Sequence, residues 1–260
     1  YGEALVELGR QDPRVVVLDA DLSKSTYTAL FAREFPGRHF NMGIAEQNMM
    51  GVAAGLASAG KIPFASTFAV FASGRCFDQL RVSICYPALN VKIGASHAGI
   101  TVGEDGASHQ SVEDLALMCV LPNMTVVVPA DGPETRQAVF SAAAHEGPWY
   151  LRLGRPPVPV VTPPGYRFQL GKGCVLREGG DVAIVACGIM VAQALIAAEE
   201  LAREGVEATV VNMSTIKPLD VALLVEMARR CGAVVTAEEH SAVGGLGAAV
   251  AAVLGEEYPV

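Results

Sequence analysis

The chain has 260 residues, of which 51% are hydrophobic, and a formal net charge of -8. That length suits one large or two smaller domains with a substantial core, and the acidic balance argues against a general nucleic-acid binder. Its longest apolar runs, such as 115–121, fall far short of the about eighteen residues needed to cross a bilayer, so no membrane association is expected. No leader-like start marks the chain for export. The 6 cysteines form no Cys-x-x-Cys pair and sit in apolar runs, which suits reduced core thiols and a cytoplasmic location.

Short β-branched runs alternate with alanine-rich stretches, which predicts an α/β fold with mainly parallel sheets covered by helices on both faces. The first strand is expected at 14–20. The loop "DADLSKS" after it lies where open α/β sheets bind ligands, and Ser23, Lys24 and Ser25 could grip an anion there; capping of a helix by a serine is equally common. Next, "FNMGIAEQNMMGVAAGLASAG" (40–60) runs from a strand end into a helix whose first turn carries Glu46. The helix dipole alone would favour a carboxylate at that place. Desolvation among Met42, Ile44, Met49 and Met50 would instead make it a proton donor. The small residues that follow predict close approach of this helix to another backbone.

A strand is expected at 62–67, and then "STFAVFASGRCFDQLR" (66–81) places Phe68, Phe71 and Phe77 near a helix start. Aromatics so spaced form ordinary core or a flat slot for a planar heterocycle. After a strand at 90–95, "HAGITVGEDGASHQ" (97–110) gathers His97, Glu104, Asp105 and His109. A solvated loop, a metal site and a pair of proton-transferring histidines are all open readings of it. A strand at 124–130 leads to a helix over 131–147 capped by Asp131, with Pro133 and Glu134 in its first turn. The strand at 149–153 brings Arg152, and just beyond it Arg155, to a sheet edge where they could clamp a phosphate.

Five prolines within 154–166 then break the pattern and mark a linker. A smaller α/β unit follows, with strands at 181–188, 207–214 and 232–239 and helices near 190–204, 218–230 and 245–254. "GGLGAAV" (244–250) lacks the G-x-G-x-x-G spacing of a dinucleotide loop and reads as a helix start.

Taken together, "DADLSKS", "GIAEQNM", "STFAVF", "SHAGITVGEDGASHQSVEDLA", "LPNMTVVVPAD" and "EEHSAVGGLGAAV" resemble, in order, the carboxyl-terminal part of a transketolase. The resemblance covers nearly the whole chain. It implies a pyrimidine-binding domain at 1–157, a linker at 158–168 and the transketolase C-terminal domain at 169–260, with its last elements expected to lie beyond residue 260. It further implies thiamine diphosphate as a cofactor shared with a separate amino-terminal subunit, which holds the diphosphate and a magnesium or calcium ion, this chain having no metal site of its own. The expected activity is transfer of a two-carbon ketol unit from a ketose phosphate to an aldose phosphate in the non-oxidative pentose phosphate pathway. The chain would act only with that subunit, as a dimer within a heterotetramer.

Carried over by position, Glu46 matches the glutamate that protonates the aminopyrimidine, and Phe68 and Phe71 match its aromatic pocket. Asp21 and Leu22 are further cofactor contacts. A third aromatic usual in that pocket falls at Gly74, where Phe77 could compensate. His97, Asp105 and His109 match the sugar channel, with His109 near the reacting carbonyl and hydroxyl groups, His97 helping to hold the donor sugar as a further catalytic candidate and Asp105 binding a hydroxyl, and Ser25 and one arginine, Arg152 in preference to Arg155, match phosphate-binding positions. A 1-deoxyxylulose-5-phosphate synthase usually lacks a histidine at the place of His97, and 2-oxoacid dehydrogenase beta subunits lack the G-E-D-G-x-x-H run. A non-catalytic binding relative is disfavoured by the intact Glu46, His97, Asp105 and His109 set.

Overall fold

The structure is a computed structural model and describes residues 1–259. Its first unit opens with α1 (Gly2–Gln11), β1 (Val15–Asp19), α2 (Thr28–Glu34), β2 (His39–Asn41), α3 (Glu46–Ser58) and β3 (Ile62–Phe68). It continues through β4 (Lys92–Ser96), α4 (Asp114–Val120), β5 (Thr125–Val127), α5 (Gly132–Ala144) and β6 (Trp149–Arg152). The second unit comprises β7 (Cys174–Arg177), β8 (Val182–Ala186), α6 (Met190–Arg203), β9 (Ala208–Asn212), β10 (Thr215–Lys217), α7 (Val221–Cys231), β11 (Val234–Ala237) and α8 (Leu246–Glu257).

Two sheets form, in the orders β10-β5-β6-β4-β3-β1-β2 and β11-β8-β9-β7. All neighbours are parallel except β10 on β5 and β7 on β9. The expected two α/β layers are therefore present, but β10, from the second unit, completes the sheet of the first. The three short strands β2, β7 and β10 carry little sequence signal, because each is an edge strand of three or four residues.

Every residue of β1, β3 and β4 is buried, since successive side chains enter opposite apolar layers. Val15 and Val17 meet α1, α2 and α5 around Leu5, Phe31 and Val139, whereas Val16 and Leu18 meet α3 and α4 around Met49, Met50 and Met118. The second layer is continuous with Val185, Met213 and Leu224 of the second unit, so the two units share one core. Burial on both faces holds even for Ser66 and Thr67 of β3, which are polar and fully buried.

Local chemistry sets the helix boundaries. Asp131 accepts the backbone N–H of Glu134 at 2.9 Å to start α5, and Asp220 accepts that of Leu223 at 3.2 Å to start α7. The proline-rich linker is tied down: Asp131 Oδ2 also accepts the backbone N–H groups of Val161 (2.9 Å) and Thr162 (2.8 Å), and Gln137 accepts that of Phe168 (2.8 Å). Polar groups on the first turns of α5 thus replace the hydrogen bonds that a strand or helix would have given the linker.

Candidate active site

Parallel strands bring their carboxyl ends to one edge, where such sheets build sites. Phe68 ends β3 beside Ser96, the end of β4, and Arg152 ends β6 beside Ala95. His97 follows directly with φ of 58°, a left-handed backbone unusual for a residue with a side chain. That turn lays its ring flat on Phe68, centroids 3.9 Å apart and planes 19° apart, with Nδ1 3.0 Å from the Ser96 hydroxyl. Burial lowers its pKa, and the nearby charge of Arg155 acts the same way, so neutral imidazole is favoured.

Phe68 in turn stacks near-parallel to Phe71 at 5.9 Å, and His109 meets both edge-on at 6.1 and 5.3 Å. Phe71 opens a π-helical turn, Phe71–Arg75, a geometry frequent at functional sites. Arg75 closes the stack, its guanidinium 4.0 Å from the Phe71 ring centre. The same guanidinium donates to Glu46 Oε1 at 2.9 Å. Glu46, Phe68, Phe71, His97 and His109, named separately in the sequence, are thus linked through rings and one ion pair.

The setting of Glu46 differs from the apolar one expected. Its carboxylate is buried, yet Ile44 is 77% exposed and shields nothing, and the dominant neighbour is a cation. Phe77 packs into the core layer, so the position of the missing aromatic is not refilled by it. A side chain at Gly74 would meet nothing within 4 Å of its Cβ, and the Phe71 face beside it is covered by Arg75. Gly51 and Gly55 of α3, where close approach to another backbone is expected, meet no other part of this chain.

Ser25, His97, Arg152 and Arg155 line a single cavity of about 370 Å³, within the size range of small-ligand pockets. Asp21 and Leu22 stand outside that lining: Asp21 exchanges hydrogen bonds with Asn41, and the Leu22 N–H donates to Asp19 at 2.9 Å.

The preference for Arg152 as the phosphate arginine is corrected. β6 lies inside the sheet, and Arg152 is 5% exposed. It donates to both oxygens of the buried Asp114 at 2.8 and 3.0 Å, and to the carbonyls of Ser111 (3.3 Å) and Glu239 (2.8 Å). Its Nε and Nη2 groups are thus engaged by the protein. Arg155 is one-third exposed and pairs with Glu104 at 2.7 Å and, more loosely, with Asp105 at 3.8 Å, contacts that an incoming anion can replace. Glu104, which had no assigned role, therefore neutralises Arg155. The metal reading of this segment has no support among the described residues, where no group of three or more His, Cys, Asp and Glu side chains gathers to hold an ion.

Three contributors were not foreseen from the sequence. Arg75 is one. The others follow β11: Glu239 accepts the Thr101 N–H at 2.5 Å and its hydroxyl at 3.0 Å, and His240 Nε2 faces the N–H groups of Leu115 and Ala116 at 3.2 and 3.4 Å. The fit is close enough that a Cβ at Gly99 would fall 2.2 Å from the Glu239 carboxyl carbon. The second unit thereby holds the 97–110 segment in place. The only sequence signal was an acid pair ending a strand, which any solvated loop also shows.

The residues present fit the pyrimidine end of thiamine diphosphate, because a flat aromatic face and a buried carboxylate stand side by side. Comparison with known proteins agrees. Residues 1–160 match the family "Transketolase, pyrimidine binding domain" and residues 171–259 the family "Transketolase, C-terminal domain". A solved chain named "Split gene transketolase, inactive beta4 tetramer" is 66% identical with a TM-score of 0.93, over 100% of this chain and 85% of that one. The transketolase from Leishmania mexicana is 27% identical with a TM-score of 0.80, over 94% of this chain and 39% of that one. The 6-deoxy-6-sulfo-D-fructose transketolase subunit SqwH of Clostridium sp. (strain MSTE9) is 48% identical over 260 residues, covering 100% of this chain and 81% of the relative. With both of its domains matched and its fold shared, the chain belongs to the transketolase family.

Proposed function

We propose that this chain is the carboxyl-terminal subunit of a two-chain transketolase, transferring a two-carbon ketol unit from a ketose phosphate to an aldose phosphate in the non-oxidative pentose phosphate pathway. The observation that carries the reading is the buried Glu46 carboxylate set against the Phe68–Phe71 stack, with two histidines at the edge of the same rings. Thiamine diphosphate, when bound, would supply a nucleophilic ring carbon and, in its cationic thiazolium ring, the electron sink. The chain's own residues do the rest of the work assigned to it here. Glu46 holds a proton toward the pyrimidine ring nitrogen, and Phe68 and Phe71 fix the ring plane.

His97 and His109 hydrogen-bond the sugar's carbonyl and hydroxyl groups, and Asp105 takes a further hydroxyl. Ser25 and Arg155 bind the terminal phosphate, Arg155 giving up Glu104 as it does so. An amino-terminal subunit supplies the diphosphate site and the divalent ion. The relatives that span a similar length and are named as a split-gene transketolase and a transketolase subunit support that division.

The test is to mix the chain with the amino-terminal subunit and assay glycolaldehyde transfer. Glu46→Ala is expected to lower turnover at least about a hundredfold, as loss of a positioned proton donor does. Unchanged turnover would remove Glu46 from that role, and activity with pyruvate and glyceraldehyde phosphate but not with ketose phosphates would favour the synthase. Because the Clostridium relative is named for a sulfonated sugar, 6-deoxy-6-sulfo-D-fructose belongs among the donors assayed. Faster turnover of it than of any ketose phosphate would reassign the anion bound at Ser25 and Arg155.

A further inference from the structure

The stack His97–Phe68–Phe71 has one layer that can leave. Phe68 and His97 are buried, whereas half of the Arg75 side chain is in water. Its guanidinium is planar, covers the Phe71 face at 4.0 Å, and donates an N–H to Glu46 at 2.9 Å. A flat ring that stacks on Phe71 and hydrogen-bonds Glu46 needs the same two features. We propose that Arg75 is a placeholder for the cofactor's aminopyrimidine, occupying its stacking face and its carboxylate until the ring displaces it; this deepens the function proposed above and rests on it.

The backbone is built for such an exchange. Gln47 Nε2 donates to the Arg75 carbonyl at 2.9 Å, so the main chain stays while the side chain swings out, and the open space at Gly74 adjoins it. The guanidinium neutralises a buried carboxylate that would otherwise stand unpaired, at a cost buried charges incur without a partner. With the ring bound, its protonated nitrogen takes over that pairing. Arg75 therefore stabilises the free subunit and competes with the cofactor.

The test is calorimetric titration of thiamine diphosphate with magnesium into the two-chain complex, for wild type, Arg75→Ala, Arg75→Met and Arg75→Lys. Arg75→Ala and Arg75→Met are expected to bind about tenfold more tightly, and Arg75→Lys, which keeps the charge without the plane, to fall between. In a Glu46→Gln background the gain from Arg75→Ala is expected to shrink, since half of what Arg75 occupies is then altered. Unchanged or weaker binding by the folded alanine and methionine variants overturns the placeholder and leaves the transketolase reading standing. A wild-type complex that binds no thiamine diphosphate overturns both.

Discussion

Replacing Arg152 by methionine separates a structural arginine from a substrate-binding one. The substitution keeps most of the apolar stem and removes the guanidinium, which leaves the fully buried Asp114 carboxylate with only the Tyr150 hydroxyl at 2.9 Å. The Glu239 carbonyl loses its donor as well, whereas that of Ser111 keeps the Gly99 N–H at 2.8 Å. Breaking a buried pair by removing one partner costs about 3–5 kcal/mol, well above the value of the pair itself against an apolar substitute. Urea unfolding followed by circular dichroism should show a lower midpoint with an unchanged slope, and the melting temperature should fall by about 10 °C. Arg152→Met combined with Asp114→Leu should recover most of that loss, because no uncompensated charge remains. Arg155→Gln, by contrast, should leave stability within about 0.5 kcal/mol and raise KM for phosphorylated donors with little change in kcat. A folded Arg152→Met variant of wild-type stability, with KM raised instead, would refute the assignment of the two arginines.

Three other perturbations probe the same framework. Glu239→Ala should weaken hold on the 97–110 segment, seen as faster hydrogen exchange at the Thr101 amide and a rise in KM, with a stability loss of about 1–3 kcal/mol; unaltered exchange there would sever the second unit from the site. Burial pulls Lys92, which donates to the His145 and Gly147 carbonyls, down to about 7, so between pH 7 and its unfolded value the unfolded chain binds the extra proton. Its cost to stability is full below that window and relieved as pH rises, by about 1.4 kcal/mol per pH unit, and Lys92→Met should remove this part of the wild-type pH dependence. Asp131→Ala takes away a helix cap and the acceptor for Val161 and Thr162, and should cost about 2–4 kcal/mol and expose 158–168 to limited proteolysis, an outcome that unchanged cleavage would contradict.

Much of the fold was legible because strong local signals coincide with elements. β1 opens with three valines and a leucine, α5 carries its cap at Asp131, and α7 ends at Gly232 with φ of 68°. The short edge strands were not, since β2, β7 and β10 owe their pairing to neighbours distant in the chain. The prolines of 154–166 signal an irregular segment, but its attachment to Asp131 and Gln137 depends on contacts about thirty residues away.

The sequence singled out Glu46, Phe68, Phe71, His97 and His109 but left a packing or solvation reading open for each, and it was the resemblance to transketolases that implied roles for them. Which arginine is free was a different kind of question. Arg152 and Arg155 differ by three positions and share a charge, and only the placement of Asp114 beneath one and of solvent beside the other tells them apart. Arg75 and Glu239 were invisible for the same reason: a charged side chain acquires its role from what it meets across the fold. The order of the motifs in the sequence carried the resemblance to the family, while burial and long-range pairing, which only the tertiary structure supplies, decided which of its charges are held inside and which stand at the surface.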